Sequence, residues 1–140
     1  MMSQSANLLY TAKTHVTGGR ENGRARSSDG LLDIRLSTPG SACIGTNPEQ
    51  LLAAGWSACF ESAITIAARK GNLTPPTEVS IDAETDLKLG DDGYFFSVRL
   101  KVRLQGVAPD VARILIEQAH AICPYSKATR GNIDVAIDLV

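Results

Sequence analysis

At 140 residues, with fourteen basic and fifteen acidic side chains and a net charge of −1, the chain is long enough to bury a core as one domain, 1–140, without staples. The balanced charge, with no basic block or stripe, disfavours a nucleic-acid role. No apolar run approaches the roughly 20 residues a membrane span needs, and the first residues lack the basic and apolar regions of a secretory signal.

In chain order, Asn7 to Val16 carries strand-type residues, and Gly18-Gly19 breaks it. Arg24 to Ser27 is short and polar, and Ser28-Asp29-Gly30 is a turn signal. Leu32, Ile34 and Leu36 then alternate with Asp33, Arg35 and Ser37, the pattern of a half-buried strand. These pieces read as an antiparallel meander. A loop from Ser37 to Thr46 leads into the longest helical stretch, Asn47 to Gly71. Asn47 suits the N-cap, Pro48 the first helical position and Gln50 the third, while Arg69 and Lys70 complement the carboxyl end and Gly71 suits the position beyond it. Small residues lie on every side and only Glu61 is charged between the ends, so a buried helix is expected.

Beyond it, Pro75-Pro76 forces an extended connection. Val79, Ile81, Ala83 and Leu87 alternate with polar residues up to the hairpin signal Gly90-Asp91-Asp92-Gly93. The returning strand places Tyr94, Phe96, Val98, Leu100, Val102 and Leu104 on one face. Pro109 opens a second helix, with an expected stripe of Val111, Ile114, Leu115, Gln118 and Ala119, that ends near Cys123-Pro124. A short helical turn through Lys127 and an alternating strand, Ile133 to Leu139, complete an α+β order of βββ-α-ββ-α-β.

Three cysteines without an export signal suit a reducing compartment, and no C-x-x-C or His/Cys cluster has metal-ligand spacing, so no metal is expected. The plain reading of Cys59 and Cys123 is two thiols packing as small hydrophobes. Local context favours more for Cys123, because in C-P-Y-S it can cap a short helix whose amide dipoles lower a thiol pKa. Cys59, mid-helix, would need a cation. Arg20, in T-G-G-R-E-N-G, is the candidate, since flanking glycines let that backbone approach another element. Glu49 reads either as a helix-start carboxylate or as the partner that orients Arg20 through a bidentate pair. Glu49 and Cys59 are roughly 15 Å apart along one helix. If Arg20 touches both, a site shared across a two-fold dimer is the simplest solution. His15 and His120 leave open a cysteine hydrolase using Cys123 with His120, and an apolar-ligand binder with two structural thiols is a further alternative. Cys43 sits in a Gly/Ser loop. Phosphate-loop, Rossmann and G-x-S-x-G signatures are absent.

The ordered set V-T-G-G-R-E-N-G-R-A, S-S-D-G-L-L-D-I-R-L-S-T-P, G-T-N-P-E-Q-L-L-A-A-G-W-S-A-C-F and C-P-Y-S-K-A-T-R-G-N-I-D-V resembles the organic hydroperoxide resistance proteins of the OsmC/Ohr superfamily, from about Tyr10 to the C-terminus. The resemblance implies an OsmC/Ohr-like fold, antiparallel sheets wrapped around long central helices in an intertwined homodimer. It implies a cytoplasmic thiol peroxidase that reduces organic hydroperoxides, with no bound cofactor and with lipoylated proteins as reductants. By the same resemblance Cys59 matches the peroxidatic cysteine, Cys123 the resolving cysteine, and Arg20 and Glu49 the pair that activates the thiolate. Leu52, Phe60 and Tyr125 are candidate apolar pocket residues that would favour alkyl or fatty-acid hydroperoxides. Three departures stand out: a short loop from Gly40 to Gly45, Cys43 within it, and Trp56 in place of the more common tyrosine.

Overall fold

A long β-hairpin dominates the computed structural model, which describes residues 6–140; residues 1–5 of the stretch read for a signal lie outside the described residues. The element order is β1 (Thr14–Thr17), α1 (Gly19–Asn22), β2 (Arg24–Ser27), β3 (Asp33–Arg35), α2 (Pro48–Lys70), β4 (Glu78–Gly90), β5 (Gly93–Gln105), α3 (Pro109–Ile122), α4 (Pro124–Thr129) and β6 (Asp134–Leu139). The chain divides into two units, Met1–Pro48 and Glu49–Val140.

In the first unit, β1, β2 and β3 form the expected antiparallel meander. Two details differ from expectation. The first strand begins at Thr14 rather than Asn7, and Leu8, Leu9 and Tyr10 lie before it and are exposed. The glycine-bracketed loop is also a single turn of helix, α1. Gly18 is left-handed at φ 80° as its N-cap, and a side chain at Gly23 would collide with the carbonyl oxygens of Thr17 and Gly19. The glycines are therefore required by the turn itself. Across the sheet, the Arg24 guanidinium donates twice to Asp33, at 3.1 Å each.

In the second unit, the β4–β5 hairpin pairs from Glu78↔Gln105 to Gly90↔Gly93 around the Asp91-Asp92 turn, as the sequence predicts. The third strand corrects an expectation. β6 pairs with β5 in parallel, from Ser97↔Asp134 to Val102↔Leu139, so this sheet is not purely antiparallel. The physical reason is the intervening α3 and α4, a crossover that returns the chain in the original direction.

The core of this unit joins α2 residues Trp56, Phe60, Ala63, Ile64, Ala67 and Ala68 to Val98, Leu100 and Val102 of β5 and to Leu115, Ile116, Ala119 and Cys123. The α2 members recur at three- and four-residue spacing, which makes one stripe. Each large apolar side chain withdrawn from water contributes about 1.5–3 kcal/mol. The α3 stripe is rotated from the expected one. Ala112, Leu115, Ile116 and Ala119 are buried, whereas Ile114 and Gln118 face solvent. Alanines win those positions because their small size lets helix and sheet approach closely.

Two expectations for α2 are also corrected. The helix is buried along one face only, and the opposite face, Leu51, Ala54, Ala58, Ser62 and Ile66, is exposed. Moreover, Pro48–Lys70 is long and apolar enough to cross a membrane by length and composition alone, because its single mid-helix carboxylate does not outweigh the aliphatic and alanine content. In this fold its Trp56-to-Ala68 face packs in the protein core.

Candidate active site

Pro124 shapes the corner on which the site depends. A proline disfavours helical backbone at the residue before it, so α3 ends at Cys123, whose φ and ψ are −60° and 123°. The Cys123 N–H still donates to the Ala119 carbonyl at 2.8 Å, and its own carbonyl accepts from Lys127 N–H at 3.0 Å. Cys123 thus closes one helix and caps the next through its backbone, as anticipated. Its thiol makes no capping bond. It is fully buried in the core instead.

Cys59 sits mid-way along α2 between buried Trp56 and Phe60, half-buried and packed against the cluster that holds Cys123. Both thiols are free, and they share a side-chain hydrogen bond. Burial pushes the Cys59 thiol up, as do the charge of Cys123 and that hydrogen bond, while the backbone N–H of Tyr125 opposes the shift. Among these causes none is a cation. Within its own unit, these causes favour the thiol form of Cys59 over the thiolate.

Tyr125 packs against the core cluster that holds Cys123. Its ring stacks on Trp56 with centroids 6.2 Å apart and planes at 20°. Its hydroxyl lies over Gly55, where an added Cβ would collide with it. Gly55 is one turn before Cys59, so the absent side chain is what lets the tyrosine lie along α2 beside the thiol. One residue on, Ser126 is fully buried and accepts a hydrogen bond from Trp56 Nε1 at 3.3 Å. The sequence shows Gly55 only as one of the small residues that let another backbone approach α2, and it marks no role for Ser126. The available signals were the glycine inside a helix and the tryptophan departing from the family pattern.

The remaining sequence candidates distribute as follows. Leu52 and Tyr125 are partly buried against the core, and Phe60 is wholly within it. Glu49 lies in the first turn of α2, and the unbroken helix keeps it roughly 15 Å from Cys59 along the axis. Arg20 lies on α1 in the first unit. His120 Nδ1 is buried with no hydrogen-bond partner among the described residues, and burial followed by the Arg130 charge holds its pKa below the ordinary imidazole value. His15 is exposed on β1 opposite Arg26, and Cys43 is exposed.

Residues 38–138 match the family model described as OsmC-like protein, which defines the class that this fold and site represent. An organic hydroperoxide resistance protein from Xanthomonas axonopodis pv. citri is 46% identical over 142 aligned positions, covering 99% of each chain. Two solved structures align at a TM-score of 0.88 and 39% identity over 95% of this chain. One is the organic hydroperoxide resistance protein of Legionella pneumophila, 98% covered, and the other is OhrB of Bacillus subtilis, 100% covered. The chain belongs to the OsmC-like family, on its organic hydroperoxide resistance branch.

Proposed function

We propose that this protein is a thiol-dependent peroxidase that reduces organic hydroperoxides to alcohols and so confers organic hydroperoxide resistance. Its similarity to organic hydroperoxide resistance proteins supports the resistance role. The observation that carries the mechanism is the contact between half-buried Cys59 and buried Cys123, two free thiols on separate elements.

The Cys59 thiolate attacks the terminal oxygen of R–O–OH. The O–O bond breaks, the alkoxide leaves and is protonated to the alcohol, and Cys59 becomes a sulfenic acid. Cys123 then attacks the sulfenic sulfur. The S–S bond forms, the S–O bond breaks, and the hydroxyl departs with the Cys123 proton as water. An external dithiol, a lipoyl group by resemblance, restores both thiols by exchange, and no bound cofactor or metal is needed. Because burial and Cys123 favour the thiol form of Cys59, the reactive thiolate calls for a stabilising cation. Arg20 takes that role, since a guanidinium stays charged when desolvated, with Glu49 orienting it. Leu52, Phe60 and Tyr125 give an apolar approach that suits alkyl and fatty-acid chains over hydrogen peroxide. The exposed α2 face from Leu51 to Ile66 supports a homodimer, and the separation of Glu49 from Cys59 supports sites shared between its subunits. Three free cysteines suit a reducing, cytoplasmic setting.

The test is to treat the reduced protein with one equivalent of cumene hydroperoxide and map disulfides by mass spectrometry. A Cys59–Cys123 bond with one equivalent of alcohol is expected. Alcohol formation without that bond, or no reaction, overturns the mechanism.

A further inference from the structure

The contact between Cys59 and Cys123 has a neighbour of the same form. One turn before Cys59 on α2 stands Trp56, and one turn after Cys123 on α4 stands Ser126. Trp56 Nε1–H donates to Ser126 Oγ at 3.3 Å, and both residues are fully buried. The two contacts are successive rungs between the same pair of segments, running in opposite chain directions. The thiol rung is the one that must react. The indole–hydroxyl rung does no chemistry, and Tyr125, between Cys123 and Ser126, stacks on the same indole.

We infer that the Trp56–Ser126 hydrogen bond is a positioning device for the resolving step, holding the Cys123 corner against the Cys59 turn. The inference rests on the peroxidase reading above and adds residues to it. Its physical basis is distance. A disulfide requires the sulfurs to close to about 2.05 Å with a defined dihedral, and small misplacements of reacting atoms cost large factors in rate. Cys123 sits at a backbone corner that Pro124 excludes from continuous helix, and a buried donor–acceptor pair one turn away ties that corner directly to α2. Losing either partner leaves the other polar group buried and unsatisfied, which loosens the corner at that point.

The step it governs is the second one. Attack of Cys123 on the Cys59 sulfenic acid forms S–S and breaks S–O, with the Cys123 proton leaving on the hydroxyl as water. The first step, peroxide attack by Cys59, does not use Cys123 and is not governed by this bond. Trp56 and Ser126 are therefore positioning residues whose loss separates the two rates.

The experiment uses the full chain with Trp56→Phe, Ser126→Ala and the double variant, each confirmed folded by its melting transition. Under single-turnover conditions with cumene hydroperoxide, alcohol release reports the first step and mass-spectrometric disulfide appearance reports the second, with dimedone trapping the sulfenic acid. Alcohol release is expected to stay within about twofold of the parent, while disulfide formation slows about tenfold in either single variant and the trapped adduct accumulates. The double variant is expected to be no slower than the singles, because one bond is lost in all three. Disulfide formation at the parent rate in either single variant, equal slowing of both steps, or multiplied effects in the double variant overturns the inference. If the parent protein itself makes no Cys59–Cys123 disulfide, the peroxidase reading falls first, and the two failures are told apart.

Discussion

At the scale of single residues, the protonation of Cys59 is the quantity that matters. Burial, the charge of Cys123 and the shared hydrogen bond all favour its thiol form, yet only a thiolate attacks an O–O bond. The reading of Arg20 as the compensating cation yields a signed pH prediction. A raised thiol pKa makes Cys59 less reactive at neutral pH and more reactive as the solution becomes alkaline. Arg20→Gln should therefore slow alkylation of Cys59 by iodoacetamide at pH 7 about tenfold and move its midpoint to higher pH. A variant with an unchanged alkylation profile would remove Arg20 from the mechanism. Gly55 stands in the sequence as one small residue among several in α2. Its missing Cβ makes room for the Tyr125 hydroxyl, a demand set by a side chain far away in sequence.

At the scale of elements, the β4–β5 hairpin carries its own charged fastening on the face away from the core. The Arg99 guanidinium donates to both Asp86 oxygens at 2.7 and 2.9 Å, and Ser97 Oγ adds a third bond at 2.9 Å. Glu84 accepts from Arg99 Nε at 3.1 Å. The Arg99 bonds, followed by that of Ser97, hold the Asp86 carboxyl far below the ordinary carboxylate range. A carboxylate whose pKa is lower in the folded than in the unfolded chain contributes stability above its unfolded value, about 4, and loses it as pH falls. The parent melting temperature should drop more steeply than that of Asp86→Asn as pH is lowered from about 4. Parallel curves would show that this network contributes nothing measurable, a common result for exposed pairs. In the core, Leu115 is fully enclosed, and Leu115→Ala should cost about 2–5 kcal/mol in a denaturant titration. A loss below about 1 kcal/mol would mean that the helix-to-sheet packing collapses freely around the gap.

At the scale of the whole molecule, the exposed face of α2 is a feature that packing among the described residues does not explain. Leu51 and Ile66 remain 37% and 39% exposed, with Ala54, Ala58 and Ser62 between them at helical spacing. Small residues flanked by aliphatic ones are what a second helix needs for close approach. On the proposed homodimer, Ala58→Arg places a charge in the middle of that seam. Analytical ultracentrifugation should show half the parent mass, with hydroperoxide turnover falling at least tenfold if the sites are shared. An unchanged mass would exclude this face as the interface. A monomer with full turnover would exclude shared sites.

How far each scale was legible follows from how local its cause is. The α2 boundaries, the Asp91-Asp92 hairpin, the corner at Pro124 and the alternation of β5 rest on neighbours in sequence, and Cys59 and Cys123 stood out through their motifs and a family resemblance. By itself the sequence determined the α+β class, these elements and the family, because capping, periodicity and motif order are carried by adjacent residues. Only the tertiary structure decided that β6 runs parallel to β5, that α3 turns Ala112 and Ile116 inward instead of Ile114, and that α2 leaves one face uncovered. It alone placed Trp56 on Ser126 beside the thiol pair. Those outcomes depend on which distant surfaces meet, and burial against a particular neighbour overrides any pattern that a single strand or helix can display.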